Sequence, residues 1–246
     1  MTRARRLRPV RDLFRKAAEK NETRPVVVRR RKVVAGTSVL GASLLGAGLS
    51  TEPGSRAFYG TTGAVAGIWT VGGFASGPLH RGWTPGPDNK LRRPLLTPLA
   101  LGVGAFGAFY GAALVARRIP VLDRAISGVL DYADEGDDKL VLATTLANGI
   151  GEEIFFRGAL YAALPEKPVL ASTAIYTLST TTTRNPALVL AAGVMGTLFG
   201  LQRRASGGLQ APVITHLTWS TLMLRFLPPL FRKPLPEHEL PEEKSR

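Results

Sequence analysis

Gly151-Glu152-Glu153-Ile154-Phe155-Phe156-Arg157-Gly158 sets two adjacent carboxylates and a guanidinium inside a run, Leu140 to Leu164, that is otherwise almost entirely apolar. Ionisable groups in such a run cost a few kcal/mol each in lipid, so they persist where partners or chemistry retain them. Glu153 and Arg157 stand four apart with the acid on the N-terminal side, the favourable order for an intrahelical ion pair. Glu152 then lies about 100° round the helix from Glu153. The spacing assigns Glu153 to Arg157 and leaves Glu152 without a partner in the motif. An unpaired carboxylate in a low-dielectric site is suited to take and return a proton, as a general base does. The competing reading is a structural charge triad that pins two helices together.

Outward from this stretch, the 246 residues are 45% hydrophobic, and the apolar residues gather into runs while polar residues crowd the tails and a few loops. That distribution predicts an all-α, polytopic transmembrane helical bundle, although the mean hydropathy of +0.08 is low for one. Seven spans are expected, at 33–50, 57–79, 95–116, 140–164, 169–183, 187–201 and 209–227. The fifth and sixth are short against the roughly 20 residues needed to cross, so they read as a re-entrant or tilted, buried pair. Small residues four apart (Gly63 and Gly67, Gly107 and Gly111, Gly196 and Gly200) mark candidate faces for close helix approach. With no cysteine, neither a disulfide framework nor a thiolate metal site is available.

Residues 1–32 hold thirteen Lys and Arg against Asp12, Glu19 and Glu22, and so carry most of the net charge of +14. Leu7, Val10, Leu13, Phe14 and Ala17 recur there near helical spacing, as in a basic amphipathic segment resting on an anionic inner leaflet. No reading module accompanies the tail, so the expected partners are membrane lipids and not nucleic acid. Lys90, Arg92 and Arg93 place the second-to-third loop in the cytoplasm with the tail, and Arg203 and Arg204 do the same for the sixth-to-seventh. The third-to-fourth loop is acidic, with Asp123, Asp131, Asp134, Glu135, Asp137 and Asp138, and reads as external despite Arg117 and Arg118. Within it Val121, Leu122, Ala125, Ile126 and Val129 line one face of a short interfacial helix. The chain thus enters the membrane from the cytoplasm and ends outside.

Glu152-Glu153-x-x-x-Arg157-Gly158 resembles the first motif of the CPBP (Abi) family of intramembrane endopeptidases, which includes CAAX prenyl proteases and bacteriocin-processing proteins. The resemblance runs from about Leu140 to Leu230. It implies that Glu152 activates the attacking water, alone or beside a metal, and that Glu153 braces Arg157. The family's second motif, an aromatic residue followed four later by histidine, reads here Tyr176-Thr177-Leu178-Ser179-Thr180, with threonine where the family has histidine. A threonine hydroxyl is a poor base and a poor zinc ligand beside imidazole. Leu209-Gln210-Ala211-Pro212-Val213-Ile214-Thr215-His216-Leu217-Thr218-Trp219-Ser220 resembles the third motif, with Ser220 at a position usually held by asparagine. His216 and Ser220, four apart, share a face from which an oxyanion could be held. Glu152, Glu153 and His216 offer a divalent ion two carboxylates and one imidazole, a set without a clear outer shell; zinc, if held, would take His216 and Glu152.

The expected organisation is a basic cytoplasmic tail (1–32), N-terminal membrane helices with the acidic external loop (33–138), a protease-like core (139–231) and a charged C-terminal tail (232–246). Two functions of different class stand on this reading. One is a glutamate-dependent endopeptidase acting on a peptide or membrane protein, with Glu152, Glu153, Arg157, His216 and Ser220 as its site. The other is a non-catalytic membrane scaffold or binder of peptides or lipids, which the loss of the histidine favours. A carrier or channel is a third and weaker option, because intramembrane charges also mark proton paths.

Overall fold

Ser55, Asp137 and Asn185 each precede an apolar run, and each accepts backbone N–H bonds that start a helix: from Phe58, from Lys139 and Leu140, and from Ala187 and Leu188. The computed structural model describes residues 24–85, 91–164 and 166–231. Among these residues the long α-helices are, in order, α1 (Arg24–Gly48), α2 (Arg56–Ser76), α3 (Leu96–Ala116), α4 (Pro120–Asp134), α5 (Asp138–Glu152), α6 (Pro168–Thr180), α7 (Pro186–Ser206) and α8 (Gln210–Phe226). A two-residue antiparallel pair, Thr84–Pro85 with Leu91–Arg92, interrupts them between α2 and α3. The basic segment expected around Leu7 to Ala17 and the C-terminal tail lie outside the described residues.

The fold is all-helical, as expected, but the motif helix is not a regular α-helix. Beyond α5 the chain continues as a π-helix, Glu153–Leu160, before a last α-turn, Tyr161–Ala163. Such segments tend to occur at functional sites. Every residue of this π segment is buried.

Other boundaries also moved. α7 has 21 residues, where the apolar run had suggested an end at Leu201. The helix continues because its polar last turns find partners: Gln202 Nε2 donates to Thr215 Oγ1 (2.7 Å) and Arg203 Nε to the Arg157 carbonyl (2.9 Å). α1 starts at Arg24 and crosses the boundary drawn at residue 33, with Arg30 buried and Arg31 Nε donating to the Ala163 carbonyl (3.4 Å). Among the described residues, α3 and α7 are the helices long and apolar enough to cross a membrane.

The core forms where α1, α2 and the π segment meet. Trp69 is fully buried, with its ring 4.7 Å from that of Phe155 and 4.9 Å from that of Phe156. Gly41 on α1 makes room for it, since a Cβ there would collide with the indole ring. Gly151 does the same for the α2–α5 contact, where a Cβ would sit 2.8 Å from the Ala66 carbonyl oxygen. The expected small-residue faces divide. Gly196 and Gly200 pack against α6, but a Cβ at Gly63, Gly67, Gly107 or Gly111 would meet nothing within 4 Å, so these four do not mark helix contacts.

Gly41→Ala is therefore expected to destabilise by about 1 to 3 kcal/mol through overpacking, and Gly67→Ala to stay within about 0.5 kcal/mol of wild type. Thermal unfolding of both variants in detergent checks this; equal midpoints would contradict the packing of Trp69 against α1.

Candidate active site

Adjacent residues of the motif face different surroundings. Glu153 and Arg157 are wholly buried, and Arg157 Nη1 donates to Glu153 Oε1 at 3.1 Å. The four-residue spacing thus gives the expected pair even through a π segment. The same Oε1 lies 3.0 Å from His216 Nδ1 on α8. An ionised carboxylate only accepts, so Nδ1 carries the hydrogen of this bond and the ring is oriented by Glu153. Phe199 on α7 stacks against the other side of the imidazole, ring centroids 4.7 Å apart and planes 22° apart.

Arg157 has no hydrogen-bond partner at Nε or Nη2, and Glu153 none at Oε2. The guanidinium lies instead over aromatic faces, 4.5 Å from the centroid of Tyr176 and 5.1 Å from that of Phe199. Cation–π attraction of this kind strengthens when the pair is desolvated. Gly196 leaves the space it occupies: a Cβ there would approach Nη2 to 3.2 Å. Arg157 thereby joins the π segment, α6 and α7 around one buried charge.

Glu152 stands beside this cluster and is only partly buried. It is not unpartnered, which corrects the sequence reading: the Tyr176 hydroxyl donates to Glu152 Oε2 at 2.6 Å. Tyr176 had been noted only as the surviving aromatic of the second motif. Its hydroxyl, in a helix of otherwise apolar or small residues, was the available signal.

Glu152, Tyr176, Thr180, His216 and Ser220 all line one cavity of about 480 Å³. The three motifs therefore converge, with the departures from the family pattern among them. Thr180 reaches the cavity, but its hydroxyl donates to the Tyr176 carbonyl (2.9 Å), the helix-bonding role open to any threonine, and offers the cavity only lone pairs. Ser220 stands one turn beyond His216 on the same wall. Among the described residues no group of three His, Cys, Asp or Glu side chains is placed to hold a metal ion. Glu153 Oε1 is turned to Arg157 and His216, Glu152 to Tyr176, and threonine fills the histidine position. This donor set does not fit zinc, and no step below passes through a metal.

Residues 139–222 match the family model described as type II CAAX prenyl endopeptidase Rce1-like. The match covers 84 of the 246 residues and agrees with the resemblance carried by the motifs. It takes in α5 to α8 with all three motif regions, and α1 to α4 lie outside the match. No curated protein and no solved structure matches the chain.

The buried Glu153–Arg157 pair and Glu152 predict opposite responses to substitution. Arg157→Ala leaves Glu153 buried with a single hydrogen-bond partner, and breaking a buried pair typically costs about 3 to 5 kcal/mol. Glu152→Gln keeps its acceptor for Tyr176 and is expected to unfold near the wild-type temperature. Thermal unfolding in detergent separates them; a wild-type midpoint for Arg157→Ala would contradict the buried pair.

Proposed function

We propose that the protein is a multi-pass membrane endopeptidase in which Glu152 activates water against a peptide carbonyl. The observation that carries this is the meeting of Glu152, His216 and Ser220 on one cavity, with Glu153 and Arg157 buried behind them. Membrane embedding is supported by large exposed apolar side chains on α1, α2, α3 and α7, among them Val39, Val71, Leu96 and Leu190. Large apolar side chains left exposed on several helices are what a membrane or partner interface covers. Seven membrane helices, with α4 resting at the surface, account for it.

In the proposed reaction a cavity water loses a proton to Glu152 as its oxygen bonds the scissile carbonyl carbon. Tyr176 holds the carboxylate in place from Oε2. The carbonyl oxygen becomes an oxyanion and is met by the Ser220 hydroxyl as a donor, with the His216 ring, held at Nδ1 by Glu153, on the same wall. Glu153 and Arg157 stay paired behind it. Collapse of the intermediate breaks the C–N bond, and the Glu152 proton passes to the leaving amine. Stabilising charge that develops only in the transition state is what makes such donors count.

The second reading, a binder that keeps the fold without the chemistry, is favoured by Thr180, whose hydroxyl is engaged within its own helix. Cleavage of a peptide library by purified protein in lipid distinguishes the two. Activity in the wild type that is lost in Glu152→Gln is the expected result, and Thr180→His is expected to raise it by supplying a base with a pKa near 6.5. No cleavage by either wild type or Thr180→His would leave the binder.

A further inference from the structure

Asn148 precedes Glu152 by one turn of α5, on the same face, and both line the cavity. Its Nδ2 donates to the Thr144 carbonyl at 2.9 Å and to the Thr62 carbonyl on α2 at 3.2 Å. These two bonds fix which way the amide faces, because exchanging its ends would set Oδ1 against two carbonyl oxygens. Oδ1 accepts no hydrogen bond among the described residues and is not sealed in the interior. The tie to α2 therefore engages the donors alone, and one acceptor is left on the cavity wall.

The wall around that oxygen has a single chemical character. Thr144, Asn148 and Glu152 follow one another at four-residue intervals along α5, and all three line the cavity. Each offers an acceptor. The Thr144 hydroxyl donates to the Leu140 carbonyl (2.7 Å) and so presents lone pairs, and Glu152 keeps Oε1 beside the Oε2 that receives Tyr176. The facing helix α8 brings His216 and Ser220, and beyond them it lines the cavity with Met223, Leu224 and Leu227. A row of acceptors calls for N–H donors. An extended peptide has them, one for each advance of about 3.3 Å. A helical segment does not, since its N–H groups are bonded within itself. Four residues of α-helix at 1.5 Å each set Asn148 about 6 Å from Glu152 along the axis, the length of about two residues of extended chain.

We infer that Asn148 is a substrate-binding residue whose Oδ1 accepts a backbone N–H of a peptide lying extended along α5. That bond sets the register of the chain, so that a carbonyl about two residues away comes to Glu152. The peptide nature of the substrate rests on the proposed function; the acceptor on the wall does not.

The test is a binding measurement and needs no turnover. Glu152→Gln protein in lipid nanodiscs is titrated with fluorescent peptides from the same library, and the tightest binder is remade with single backbone N–H groups replaced by ester oxygen. Each ester removes one donor and keeps the side chains and the chain length. The expected result is an affinity loss of about two- to tenfold at one position, which disappears when Asn148→Leu is added. An ester also weakens the carbonyl before it as an acceptor, but both backgrounds share that effect. Asn148→Ala repeats the comparison if Asn148→Leu fails to accumulate. Equal ester sensitivity with and without Asn148 overturns the inference, as does a series with no sensitive position. Failure of every peptide to bind overturns it together with the proposed function. Peptides that bind but are not cleaved by the wild type remove the proposed function alone, since the ester series still decides the role of Asn148.

Discussion

One buried oxygen organises the C-terminal helices. Glu153 Oε1 receives Arg157 from its own helix at 3.1 Å and His216 from α8 at 3.0 Å, all within the buried interior. A carboxylate left alone in such a place costs several kcal/mol, so the two donors and the acceptor hold one another in position. Through Arg157 the constraint extends to Tyr176 and Phe199, and through the Arg157 carbonyl to Arg203 on α7. With Glu153 so engaged, its neighbour Glu152 is free to serve the cavity. Adjacent side chains on a helix cannot face the same way, which sets Glu153 in the buried cluster and Glu152 on the cavity.

Much of this was legible beforehand because charged residues in apolar runs are rare and their spacing is informative. The Glu153–Arg157 pair followed from four-residue separation, and so did the shared face of His216 and Ser220. That the acidic loop holds a helix followed from the periodicity of Val121 to Val129, and α4 occupies that stretch. The π-helix was not legible, since no proline or glycine breaks 153–157 and the switch depends on how buried side chains pack. Nor was the Tyr176–Glu152 bond, which joins residues on different helices. Glycine spacing misled at Gly63, Gly67, Gly107 and Gly111, because the pattern records only that close approach is allowed. At Gly41 and Gly151 single glycines accept a large neighbour, and no four-residue pattern announces them.

The departures from the family pattern change what the site has to work with. An imidazole at position 180 would add a titrating nitrogen to the cavity, whereas threonine satisfies its own helix and leaves that wall passive. Tyr176 compensates in part by placing a hydroxyl against Glu152, which orients the carboxylate without adding charge. The cavity is thus lined by one carboxylate, one oriented imidazole and a serine hydroxyl.

The central claim is that Glu153 holds His216 and Arg157 together so that Glu152 is left to the cavity. A double-mutant cycle of Glu153→Gln and His216→Phe, with unfolding in detergent as the readout, tests it most directly. Contacting residues in one buried network couple by about 0.5 to 3 kcal/mol, and the account predicts a coupling in that range. Strictly additive effects of the two substitutions would mean that the 3.0 Å contact carries no energy, and the division between the two glutamates would lose its physical basis.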